Sequence, residues 1–233
     1  MGAGLLISFE GGEGVGKGTQ VQLLNEALEA KGLEVVLTRE PGGTPLGEKI
    51  RYLLKFDPDG RNMATETELV LFIAGRAENF AKRIKPALEE GKIVLCDRFI
   101  DTATIYQGKV RGLGMDRVRW MNDFATQGRK PDITFLLDLP TEQWANRVYG
   151  RRPEIQLPLS IPGQPATSQL STNCRMDEFA INAAKEIRQA YLQLAADEPG
   201  RFIVIDATPT DPQTIAKEIM RHVECRLAGC AKK

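Results

Sequence analysis

An apolar strand that breaks into a glycine loop and resumes as a helix leaves a chain few folds, and residues 5–24 follow that order. Leu5, Leu6, Ile7 and Phe9 form an apolar run of the length and type of a buried strand. At Gly11 the run breaks into Gly11-Gly12-Glu13-Gly14-Val15-Gly16-Lys17-Gly18-Thr19. Beyond it Val21, Leu24 and Leu28 recur at i, i+3 and i+7, one face of a helix. In such a unit the glycines let successive backbone N–H groups turn inward. The helix start adds partial positive charge, and Lys17 reaches the outer phosphates of a nucleotide.

Gly11, Gly16 and Lys17 stand at the spacing of the Walker pattern, but its last position is Gly18 rather than Ser or Thr, and Thr19 follows one residue late. A plain strand-to-helix turn would also use glycines, for their positive φ. It would not need the lysine in register.

The rest of the chain alternates short apolar runs with helical patterns. Residues 34–38, 93–97, 133–139 and 202–206 read as four further strands, and Gly32 as the stop of the first helix. Helices are expected over about 46–54 and 66–90, with a loop at 57–62. Near-continuous apolar strands separated by helices indicate an α/β fold, a parallel sheet covered on both faces. Ligands of such sheets gather at the carboxyl ends of the strands, where the loop at 11–18 and Asp97 both fall.

Composition excludes several function classes. Lys plus Arg is 31 and Asp plus Glu is 31, so no basic excess favours nucleic acid or an anionic membrane. No apolar run is long enough to span a bilayer. Met1-Gly2-Ala3-Gly4 lacks the charged start of a secretory signal, and Cys96, Cys174, Cys225 and Cys230 show no metal-ligand spacing. A soluble, cytoplasmic location is expected.

Residues 153–173 differ from their surroundings. They carry Pro153, Pro158, Pro162 and Pro165, many Ser, Thr and Gln, and a single charge, Glu154. Arg147, Arg151 and Arg152 precede the segment, and Arg175 follows it. Prolines so spaced cannot continue a helix, and a long insertion of this kind is a mobile active-site lid or a linker. The flanking arginines favour a lid.

The helix at 66–90 contains a conflict. Leu69, Phe72, Ile73, Arg76 and Phe80 share one face, which should bury, yet Arg76 carries a charge. A buried guanidinium needs an anionic or polar partner. With Phe72 one turn away, the pair suits a heterocyclic base, and equally an internal salt bridge beneath a core phenylalanine. Asp97-Arg98 closes the third strand. In a Walker-loop protein a carboxylate there helps hold Mg²⁺. Downstream, Thr102, Tyr106 and Gln107 supply a hydroxyl, a ring and an amide able to read a base edge.

The whole chain resembles the thymidylate kinases of the bacterial type. The stretches that carry the resemblance are FEGGEGVGKGTQ at 9–20, TREPGGTPLGEKIR at 38–51, LFIAGRAE at 71–78 and CDRFIDTATIYQG at 96–108. PDITFLLDL at 131–139, CRMDEF at 174–179 and IRQAYLQLA at 187–195 extend it. The resemblance implies one nucleoside monophosphate kinase domain over 1–233. Its fold would be the three-layer, P-loop NTPase-like one, a five-stranded parallel sheet with helices on both faces and a mobile lid at about 147–178. It also implies a homodimer, and transfer of the ATP γ-phosphoryl group to dTMP with Mg²⁺, in dTTP synthesis. By the same likeness Gly11 to Thr19 bind ATP, and Lys17, Glu13, Asp97, Arg98, Arg151 and Arg175 form the catalytic set, with Asp97 toward the metal. Glu40, Arg51, Phe72, Arg76, Arg98, Thr102, Tyr106 and Gln107 would bind dTMP. Phe72 would stack on thymine, Arg76 face its edge, Glu13 approach the sugar and Arg98 hold the phosphate.

The chain departs from that pattern at Gly18, which removes a hydroxyl near Mg²⁺, and at Thr102, where Ser is usual. It departs again at Cys174 and in the length of the proline-rich segment, while Gly14 matches the version whose catalytic arginines come from the lid. A nucleotide phosphate has a second pKa of about 6, so no general base is required, in keeping with a lone histidine, His222, near the C-terminus. A kinase for another nucleoside monophosphate, and a non-catalytic P-loop module, remain the alternatives.

Overall fold

The computed structural model describes residues 4–149, 175–209 and 211–229. Five strands form one sheet: β1 (Leu5–Glu10), β2 (Val35–Arg39), β3 (Ile93–Asp97), β4 (Ile133–Asp138) and β5 (Phe202–Asp206). Their order is β2-β3-β1-β4-β5 and every pairing is parallel. Phe9 pairs with Asp97 on one side and Phe135 on the other. The phosphate-loop strand is therefore central, with its C-terminal end between those of β3 and β4. The predicted strands are all present. β2 is displaced by one residue, because Arg39 continues the ladder opposite Asp97.

Alternate residues of the sheet enter two separate apolar clusters, as the strand period requires. Ile7, Phe9 and Leu95 pack with Val21, Leu24 and Leu28 of α1 (Lys17–Glu29). Leu6, Val94 and Cys96 pack on the opposite face with Phe80, Ile84 and Phe99. Both faces are covered, which is why the strands carry no apolar–polar alternation.

The next helices are α2 (Pro45–Lys55) and α3 (Thr65–Asn79). Thr44 caps α2, its hydroxyl accepting the Gly47 N–H at 2.9 Å. The stretch expected as a loop at 57–62 forms a short 3₁₀ helix, Pro58–Asn62. The long helix predicted at 66–90 exists as α3, a π turn at Phe80–Ile84 and α4 (Lys85–Glu89). Pro86 lacks an N–H and its ring crowds the carbonyl four residues earlier, and the widened turn just before it accommodates both.

Past β3 come α5 (Ile100–Ala103), a second π segment (Thr104–Val110) and α6 (Met115–Thr126). Between β4 and β5 lie α7 (Glu142–Tyr149), α8 (Arg175–Asn182) and α9 (Ala184–Asp197), and α10 (Pro212–Leu227) closes the fold. The predicted lid at 147–178 falls mainly on residues outside the described ones, Arg151 among them. Arg175 opens α8, but its side chain is not among those described. Among the described residues, no helix is long and apolar enough to cross a membrane.

Candidate active site

The loop from Gly11 to Gly18 joins the central strand to α1. Gly11, Gly14 and Gly16 have φ of +131°, +76° and +100°, values that side chains other than glycine's rarely adopt. Gly16 precedes α1 and no side chain caps that helix, so its first N–H groups are left to the loop. Lys17 is buried, and its ammonium donates to the Gly12 carbonyl at 2.6 Å and the Gly11 carbonyl at 3.3 Å. Val15 anchors the loop in the core, whereas Thr19 is exposed on α1.

Arg98 is the hub of the second half of the site. It has φ +66°, unusual for a non-glycine residue, and is almost fully buried. Its Nη1 donates to the Gly11 carbonyl at 3.0 Å and to the Thr102 hydroxyl at 3.1 Å, and its Nη2 to Glu13 Oε1 at 2.6 Å. Its guanidinium lies 5.5 Å from the centroid of the Tyr106 ring. Four residues picked out separately in the sequence, Glu13, Arg98, Thr102 and Tyr106, therefore meet at the phosphate loop. Burial alone would lower the Arg98 pKa, but Glu13, Tyr106, Tyr191 and Glu10 together hold it well above its usual value. The guanidinium is a fixed cation.

The wall beyond is built on Arg76. Its Nε donates to Glu40 Oε2 at 2.7 Å, its Nη1 to Asn122 Oδ1 and its Nη2 to the Phe99 carbonyl at 3.0 Å. Asn79 donates to the other Glu40 oxygen at 3.2 Å. The buried charge is thus met by a carboxylate from the turn after β2. Burial raises the pKa of Glu40, with Arg76 opposing. Phe72 lies one turn from Arg76 and is buried in the main cluster, and Arg51 donates to the Pro41 carbonyl at 3.0 Å. Gln107 is fully buried, with Nε2 donating to Glu68 Oε1 at 2.9 Å, and Oε1 has no donor among the described residues. Both Tyr106 and Gln107 lie in the π segment, a feature frequent at functional sites.

Asp97 ends β3 half-buried. Its carbonyl accepts the Glu40 N–H at 3.0 Å, which ties the turn after β2 to the same edge. Its carboxylate takes none of the side-chain hydrogen bonds or ion pairs among the described residues.

Sequence reasoning missed several residues at this edge. Glu10 is fully buried at the end of β1 and accepts from the Phe99 N–H and from the Thr102 and Tyr191 hydroxyls. The signal was a carboxylate closing an otherwise apolar strand. Trp144 of α7 packs on Gly12, and Arg188 of α9 holds Asp138 at the end of β4 with bonds of 2.7 and 2.9 Å. Arg111 donates to Glu68 at 3.2 Å and stacks 3.9 Å from the ring centroid of Phe179 in α8.

The chain is similar to known proteins of one family. A family model described as thymidylate kinase matches residues 9–219. A thymidylate kinase of Desulfosudis oleivorans is 46% identical over 203 residues, 87% of this chain and 89% of that protein. One from Halothermothrix orenii is 41% identical over 230 residues, 99% of each chain. The crystal structure of thymidylate kinase from Ehrlichia chaffeensis superposes with a TM-score of 0.70 at 32% identity, covering 96% of this chain and 99% of that one. With a family model matched over most of its length and relatives above 40% identical, the chain belongs to the thymidylate kinase family.

Proposed function

We propose that the chain transfers the γ-phosphoryl group of ATP to dTMP, giving dTDP and ADP, as a step of dTTP synthesis. The observation that carries this reading is the meeting of Arg98, Glu13 and Thr102 beside the phosphate loop. A donor phosphate cradle and an acceptor cation within one hydrogen-bonded group bring two phosphate-bearing substrates together. An oxygen of the dTMP phosphate attacks the γ-phosphorus, and the bond to the β–γ bridging oxygen breaks. The attacking phosphate is largely dianionic at neutral pH, its second pKa being about 6, so no proton need be removed. What remains is alignment and charge neutralisation.

In this reading the loop N–H groups and Lys17 hold the ATP phosphates. Arg98, with Arg51 nearby, holds the acceptor phosphate, and Glu13 and Thr102 border its sugar. Phe72, Tyr106, Gln107 and the Glu40–Arg76 pair surround the base. A guanidinium has five N–H groups, and the three bonds of Arg76 leave two of them for a base edge. Arg151 and Arg175 are assigned to a lid over the phosphates, within one kinase domain.

The donor set fits a magnesium ion that arrives with ATP. Asp97 offers one carboxylate, Gly18 offers no hydroxyl, and no group of three or more acidic, His or Cys side chains could hold a metal among the described residues. Magnesium keeps several waters and is satisfied by one or two carboxylates together with substrate phosphates. When bound, it would neutralise charge on the β- and γ-oxygens, with Asp97 as its protein ligand, directly or through water.

A cytoplasmic homodimer completes the reading. Trp120 and Phe124 of α6 are 69% and 74% exposed and stack on one another, and Val70 of the adjacent α3 is 54% exposed.

The test is an assay of ATP with dTMP, dUMP, AMP, CMP and UMP. Fastest turnover of dTMP is expected. Preference for AMP or CMP would make it a different nucleoside monophosphate kinase, and ATP binding without any turnover would leave a nucleotide-binding module.

A further inference from the structure

We infer that Glu10 is a positioning residue for the acceptor phosphate: its carboxylate fixes the conformation of Arg98 and the polarity of the Thr102 hydroxyl. The inference rests on the assignment of Arg98 to the acceptor phosphate.

The backbone carries the first part. Arg98 keeps its φ of +66° between two anchored amides. Its own N–H donates to the Phe9 carbonyl at 3.0 Å, and the next N–H, that of Phe99, donates to Glu10 Oε1 at 2.8 Å. Phe99 is fully buried and leads into α5, which has no side-chain cap. Without the carboxylate that N–H would be a buried donor lacking its acceptor, and the peptide following Arg98 would lose its restraint.

The side chain carries the second part. Glu10 Oε2 accepts from the Thr102 hydroxyl at 2.6 Å and the Tyr191 hydroxyl at 2.9 Å. An ionised carboxylate can only accept. Thr102 must therefore turn its proton to Glu10 and its lone pairs outward, and one of them receives Arg98 Nη1 at 3.1 Å. A glutamine amide in this place would present N–H groups to the same hydroxyl. They would take the lone pair that Arg98 uses.

A purely architectural role explains the arrangement less well. A buried charge is costly, and a well-packed neutral residue often serves stability equally well or better. The carboxyl group stands at the one point where β1, the Arg98 turn, α5 and α9 converge.

The experiment compares dTMP with thymidine, which lacks the phosphate, by calorimetry at pH 8, alongside turnover and ATP affinity. Glu10→Gln should bind ATP within about twofold of the parent, and thymidine likewise, while dTMP affinity and turnover each fall about tenfold or more, as for loss of a hydrogen bond to a charged group. Tyr191→Phe keeps the carboxylate and removes one donor, and should move the dTMP-to-thymidine ratio the same way by about threefold. If dTMP and thymidine weaken together in Glu10→Gln, or neither weakens, Glu10 only supports the fold. Should Glu10→Gln not fold, the ratio in Tyr191→Phe decides, and an unchanged ratio overturns the inference. A parent protein that binds thymidine as well as dTMP would instead remove the acceptor-phosphate assignment of Arg98 itself.

Discussion

The indole ring of Trp144 fills the space that any side chain on Gly12 would need, since a Cβ there would lie 2.2 Å from the ring. The ring is held in turn, its Nε1 donating to the Leu139 carbonyl at 3.0 Å. Trp144 belongs to α7, which runs toward the arginine-flanked segment from Glu142, so the helix before that segment rests directly on the phosphate loop. Gly12→Ala should overpack this contact and cost about 1–3 kcal/mol of stability, with weaker ATP binding. Trp144→Ala in the same chain should restore part of the ATP affinity. Thermal melting and ATP titration of both variants check this, and additive effects of the two substitutions would refute the contact.

Lys17→Met should fold and melt close to the parent, because a methionine fills a similar buried volume. Turnover should drop about a thousandfold or more, since charge developing on the transferring oxygens loses its cation. A folded variant with near-parental turnover would contradict the assignment of the loop. Single-turnover rates and circular dichroism supply both readings.

Much of this was legible in the chain before folding. Five apolar runs marked the strands, and the loop and the Asp97-Arg98 pair marked the edge where ligands gather. The conflict at Arg76 demanded an anionic or polar partner, but its identity, Glu40, depends on how the turn after β2 meets α3. What could not be read was contact between distant segments. Glu10 and Tyr191 touch across 181 positions, and Trp144 reaches Gly12 only because β4 lies beside β1. Periodicity reports which face of an element is buried, not what it is buried against. The π turns were hidden for a related reason. They shift the hydrogen-bond partner without interrupting the apolar pattern.

Stability should depend on pH through Glu10. Burial, then the neighbouring Asp101, raises its pKa from 4.5 to about 7, against the opposing effect of Arg98. The groups facing it are Arg98, Asp101 and Thr102 on the β3 side and Tyr191 on α9. Between those two pH values the folded protein holds a proton that the unfolded chain has released. Its contribution is therefore fully present below about 4.5 and is lost as pH rises through about 7, a change of roughly 3 kcal/mol. Glu10→Gln lacks this titration. Urea unfolding at pH 5 and pH 8 should show the parent losing stability relative to the variant by that order. An equal difference at both pH values would mean that Glu10 does not titrate in this range.

The outward face of α6 supplies the last prediction. Trp120 and Phe124 stack with ring centroids 6.3 Å apart and an interplanar angle of 21°, yet both stand in solvent. Side chains of this size are seldom left uncovered together, and such patches mark association sites. The neighbouring α3 exposes Val70 while its buried side carries Phe72 and Arg76, so one helix has a solvent side and a side toward the proposed base pocket. A second copy of the chain seated there would cover the aromatic pair and hold α3 from outside. Replacing Trp120 and Phe124 together by Glu should convert a dimer to a monomer in sedimentation velocity. Through α3, the KM for dTMP should rise about three- to tenfold, with the KM for ATP changing much less. A parent protein that sediments as a monomer, or a double variant that remains dimeric, would place the association elsewhere. A monomeric variant with an unchanged KM for dTMP would show that the face serves assembly alone.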